Sequence, residues 1–136
     1  MNAKPEDTGK LLVRLAVGGL MLFHGVSKLV NGIGWLEGLL GSLGIPGFIG
    51  FGVYIGEVIA PVLIIAGYRT RLAGLLVAFD MVAALLLVHR SELFSIKPSG
   101  GGWAIELNAF FLLASLSLFF LGAGRYSAVK TPGRWD

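Results

Sequence analysis

No cysteine occurs in the 136 residues, so the chain alone can form no disulfide, thiolate metal site or redox dithiol. Charge is also scarce. Asp, Glu, Lys and Arg make up 14% of the residues, against about 25% in an ordinary soluble domain. The 11 basic residues never form a polybasic run. No helix-turn-helix or RNA-binding signature accompanies the sequence pI of about 9.5, so nucleic acid is not the expected partner. Apolar residues dominate instead, at 55% of the chain, with a mean hydropathy of +0.80. A bilayer-spanning helix takes roughly 20 such residues. The expectation is therefore an all-α membrane protein, a four-transmembrane-helix bundle filling a single membrane domain over 1–136.

The apolar runs place spans at about 10–30, 48–67, 72–89 and 103–122, followed by a polar tail at 123–136. The first connection is Gly-rich, "NGIGWLEGLLGSLGIPG". The second is the short "YRTR" turn, and the third is "RSELFSIKPSGGG". The first run is too long for a cleaved leader and has no convincing small-residue cleavage site. Basic residues orient the bundle. With the N-terminus cytoplasmic, Lys4, Lys10, Arg14, Arg69, Arg71, Arg125, Lys130 and Arg134 lie inside, and Lys28, Arg90 and Lys97 lie outside. Both termini are then cytoplasmic, and Arg14 is expected to snorkel to the inner surface. In a Gram-negative host the outer connections would face the periplasm.

Each span carries a titratable residue in its middle or outer half: His24 and Lys28, Glu57, Asp80, and Glu106. A carboxylate at the bilayer centre costs on the order of 2.5–3.5 kcal/mol on insertion scales, so such groups face the bundle interior and find partners. His24 and Lys28, four apart, share one helix face. The simplest arrangement sets Glu57 and Glu106 against them in an outward-open pocket. A structural alternative stays open, with Lys28 and Glu106 reaching the interface and a neutral His24 bonding a neighbouring helix. Asp80 either belongs to the site or fixes helix packing. Nine residues at 100° each would carry His89 to the opposite side of the helix from Asp80, so His89–Arg90 reads as the outer boundary.

Gly52, Gly56 and Ala60 form a small-residue ridge, and Pro61 should kink the helix just below Glu57. Tyr54, with Phe51, Phe110 and Phe111, could line an apolar cavity. Trp35, Trp103 and Tyr68 suit interfacial belts. Tyr54, Asp80 and Trp103 are the candidates for contacting a bound cofactor. No HxxxH or ExxH spacing supports a metal site, and no glycine pattern resembles a phosphate loop.

The runs "LLVRLAVGGLMLFHGVSKL", "GIPGFIGFGVYIGEVIAPVLIIAGYRTRLAG" and "GGWAIELNAFFLLASLSLFFLGAGRYS" resemble the DoxX family of small bacterial membrane proteins over about 11–128. The resemblance implies an inner-membrane four-helix protein. Family members include a subunit of a thiosulfate:quinone oxidoreductase, and others are linked to quinone or catechol detoxification and oxidative-stress defence. The fold is similar to that of the vitamin K epoxide reductase group, from which this chain departs by lacking cysteine. The matching polar positions are Arg14, His24, Lys28, Glu57 and Glu106; Asp80 lies outside the pattern. The resemblance implies a quinone-linked oxidoreductase component, with His24, Lys28, Glu57 and Glu106 as the catalytic candidates, quinone as cofactor and a protein partner supplying electrons. The alternatives are a noncatalytic scaffold subunit and a small-solute or proton-coupled transporter. A homodimer packed through small-residue faces is also compatible.

Overall fold

The computed structural model of the chain describes residues 4–129, 131 and 133–136; Lys130, counted above among the inner cations, lies outside them. The first helix, α1 (Pro5–Asn31), starts where proline supplies a ready-made first turn and Glu6 and Asp7 meet the positive end of the helix dipole. The Lys4 N–H donates to Asp7 Oδ2 at 3.3 Å, and Lys28 lies in the last turn. The first connection, read from the sequence only as a Gly-rich link, contains a short helix, α2 (Gly34–Ser42). Its glycines lower helix propensity. Burial of Leu36 and Leu40, one helical face together with Ile33, compensates, and these pack with Ile45, Val53, Tyr54 and Leu87.

The second span is not one uniform helix. It runs Gly47–Ala66 as a 3₁₀ stretch (Gly47–Gly52), a π turn (Ile55–Ile59) and α3 (Ala60–Ala66). Pro61 explains the break, because it has no N–H to offer the Glu57 carbonyl four residues earlier. The small-residue ridge accordingly does not run straight: Gly56 and Ala60 are buried, whereas Gly52 is exposed. Gly67 takes the left-handed conformation (φ 71°), and the chain reverses into α4 (Thr70–Leu87). A loop over 88–105 then leads to α5 (Glu106–Leu121), which packs along α4.

Val17, Met21, Ala60, Ile64, Ala73, Val77, Met81, Phe111 and Leu118 form the core between these helices. Outside it, Phe23, Phe79, Phe110 and Phe120 are each at least 64% exposed, a surface suited to hydrocarbon rather than water. Among the described residues, three segments are long and apolar enough to cross a membrane: Pro5–Asn31, Gly47–Ala66 and Thr70–Leu87. The fourth apolar helix, α5, has 16 residues, or about 24 Å. The molecule is all-helical among the described residues and is built for a bilayer.

Arg14 does not snorkel. It is 1% exposed, and its guanidinium donates to the carbonyls of Ile64 (2.8 Å) and Ile65 (2.6 Å) at the end of α3, and to those of Ala123 (2.9 Å) and Tyr126 after α5. The last carbonyls of a helix lack intrahelical donors and carry the negative end of its dipole. The planar guanidinium fork satisfies them and ties α1, α3 and the tail together.

Candidate functional site

The cavity relevant to chemistry has a volume of about 610 Å³ and lies between α1, the π turn, α4 and the start of α5. Trp35, Leu36 and Leu40 of α2 also line it. Most of its wall is apolar, including Met21, Leu76, Phe79, Met81 and Phe111. The polar groups are His24, Lys28, Glu57, Asp80, His89 and Asn108.

Lys28 and Glu57 form its central contact, with Nζ 2.5 Å from Oε2 and side-chain exposures of 19% and 8%. Three local features place Glu57. The π turn sets its rotation, and Pro61 leaves its carbonyl without the usual helical donor. Gly25 lets α1 approach that carbonyl so closely that a β-carbon there would overlap it. Tyr54 steadies the pair from behind, its hydroxyl donating to the Lys28 carbonyl at 3.1 Å. Gly56 in turn lets α4 approach, since a β-carbon there would lie 2.5 Å from Asp80 Cβ. Asp80 Oδ2 is buried and has no hydrogen-bond partner among the described residues. An unsatisfied acidic oxygen in apolar surroundings is costly, and here it lies on a residue lining the cavity.

Other expected contacts do not form. Glu106 is exposed at the first residue of α5 and pairs with Lys97 of the preceding loop at 2.8 Å, outside the cavity lining. The positive start of the helix and the nearby lysine account for this placement. His24 meets no acid among the described residues; its ring stands edge-on to Phe111, centroids 6.1 Å apart. Trp103 donates Nε1–H to the Leu93 carbonyl at 2.8 Å and fastens the loop before α5, so it is no lining residue. Tyr54 likewise is not among the lining residues. His89 does line the cavity, contrary to the helical extrapolation, because α4 ends at Leu87 and the chain then turns. There it pairs with Glu92, Nδ1 to Oε2 at 2.9 Å. Among the described residues no group of three or more His, Asp or Glu side chains is placed to hold a metal ion.

The DoxX family model matches residues 9–90, which include His24, Lys28, Glu57 and Asp80. The chain belongs to the DoxX family. A Bacillus subtilis DoxX-type relative named "Putative oxidoreductase CatD" is 31% identical over 120 residues, covering 88% of this chain and 84% of that protein. A second relative, "Uncharacterized membrane protein Rv3486" of Mycobacterium tuberculosis, is 29% identical over 128 residues, covering 86% of this chain and 77% of its own length. No solved structure matches the chain. This DoxX chain is a membrane protein.

Sequence reasoning missed α2 as a cavity wall, although Leu36 and Leu40 at a spacing of four were its signal. It also missed Asn108, whose Nδ2 approaches Met81 Sδ at 4.0 Å. A single amide in the first turn of an apolar helix resembles any packing residue until its neighbours are known.

Proposed function

We propose that this DoxX protein is the membrane component of a quinone-linked oxidoreductase, held in the bacterial inner membrane by four spans with both termini in the cytoplasm. The eight-to-three distribution of basic residues and the packing of α5 along α4 support that topology. The observation that carries the function is the partly buried Lys28–Glu57 pair in a largely apolar cavity, next to an acidic oxygen that lacks a hydrogen-bond partner among the described residues. Such a cavity suits a flat apolar ring with polar oxygens, held by a few convergent polar groups. The name of the Bacillus relative points to redox chemistry as well.

A bound quinone would supply the two-electron chemistry, since the sequence has no cysteine to form a redox dithiol. Met21, Phe79 and Phe111 would hold the ring and exclude water. Lys28 would donate a hydrogen bond to a ring oxygen, and Glu57 fixes where the Lys28 ammonium stands. Asp80 and His24, which both line the cavity, would exchange protons. Electrons would come from a partner protein or a soluble reductant.

The test uses purified protein in mild detergent, titrated with ubiquinone-1 and menadione and compared with Glu57→Gln and Asp80→Asn. Binding by the wild type that weakens at least tenfold in folded variants supports the proposal. A folded wild type that binds neither quinone, or variants that bind as well as it does, would move the protein to a scaffold role.

A further inference from the structure

Asn108 lines the main cavity and has no part in the binding scheme above. Its amide is poorly satisfied. Nδ2 reaches only the Met81 thioether, at 4.0 Å, a weak acceptor. Among the described residues the side chain makes no other hydrogen bond. A half-buried amide in largely apolar surroundings is costly to leave in that condition. The register of two helices gives its height. α1 and α5 run antiparallel, since Arg14 meets the turn after α5 and His24, further along α1, meets Phe111 inside α5. From that contact Lys28 is four residues onward along α1, or about 6 Å, and Asn108 is three residues back along α5, or about 4.5 Å. The two donors therefore stand at nearly one level.

They reach the cavity from different sides. The Lys28 ammonium leans to Glu57 of the second span, and the Asn108 amide lies against Met81 of α4. Met21 and Phe111 are buried and line the cavity below this level, toward Arg14. A ring lying on that apolar floor would present one oxygen to each donor. We propose that Asn108 is the second ring-binding residue of the cavity, a role that rests on the quinone reading above. Its Nδ2–H donates to the quinone oxygen that Lys28 does not take. An amide suits both redox states of such a ligand. Nδ2 donates to a quinone carbonyl, and Oδ1 accepts from the hydroxyl of the reduced quinol, whereas an ammonium only donates.

The experiment titrates full-length protein in detergent with menadione, unlabelled and carrying carbon-13 at both carbonyls. Titration gives the dissociation constant, and infrared difference spectra between the labelled and unlabelled ligand give the two carbonyl stretches. In the wild type both stretches should lie below those of free menadione. Asn108→Leu and the smaller Asn108→Ala should each bind about fivefold more weakly and return one stretch to its free position. Lys28→Met/Glu57→Leu should return the other. A folded Asn108→Leu or Asn108→Ala protein that binds menadione as tightly as the wild type would overturn the role of Asn108 and leave the quinone reading standing. Weaker binding with both stretches still lowered would overturn it too, since Asn108 would then act through packing alone. A wild type with one stretch unshifted would overturn it whatever the variants do. A folded wild type that binds no menadione would overturn both the role of Asn108 and the quinone reading.

Discussion

Lys28 and Glu57 show how much of the candidate site single residues disclose. Charges inside apolar runs are conspicuous, so both stood out from the sequence alone. Their partners were harder to read, because the rotation of each helix is set by neighbours that the sequence does not name. Glu106 looked equivalent to Glu57, yet it begins its helix and takes Lys97; Asp80 had the least support and lines the cavity. Glu57→Gln, which strands the Lys28 ammonium, is expected to lower stability by about 2 kcal/mol, less than a fully buried pair would lose because Lys28 is partly exposed. The double variant Lys28→Met/Glu57→Leu should be more stable than either single change, as read by thermal unfolding in detergent. Gly25→Ala, whose new methyl would overlap the Glu57 carbonyl, should lose about 1–3 kcal/mol by overpacking.

Elements were legible where a long apolar run decides everything, as in α1 and α4. They were less so where compensation is local. The Gly-rich stretch that forms α2 reads as a loop until the burial of Leu36 and Leu40 is known. Arg14 reads as a snorkelling surface cation until the orphan carbonyls of α3 are placed around it. That clamp makes a prediction for a whole element. Arg14→Met should leave several buried carbonyls without donors and destabilise the protein by about 3 kcal/mol. Detachment of the tail should come first, measured as faster tryptic cleavage after Arg125 than in the wild type.

At the scale of the molecule, the absence of cysteine makes topology directly measurable. Single cysteines in place of Ser99 and Arg134 should differ in labelling by a membrane-impermeant maleimide, Ser99→Cys reacting in intact cells and Arg134→Cys only after permeabilisation. The tail carries a pH dependence. Amide donors from Gly133 and Arg69 hold the Asp136 carboxyl below the usual carboxylate range. A depressed folded-state pKa stabilises the contact above the unfolded value and loses that stabilisation as protons return. The tail contact should therefore be intact at neutral pH and loosen below about pH 4. A dye on Arg134→Cys would report this as falling anisotropy, and Asp136→Asn should remove the transition. The π turn over Ile55–Ile59 has a different kind of consequence. A π turn contains one residue more than the α-helical turn it replaces, so Glu57 owes its bearing to a single inserted position. Loss of one codon at Val58 would keep a span of nearly the same length and hydropathy while swinging everything before it by about 100°. Such a descendant would still enter membranes and fold, but its acid would point away from Lys28, so within this architecture a site can be lost or gained by one reading-frame-preserving step.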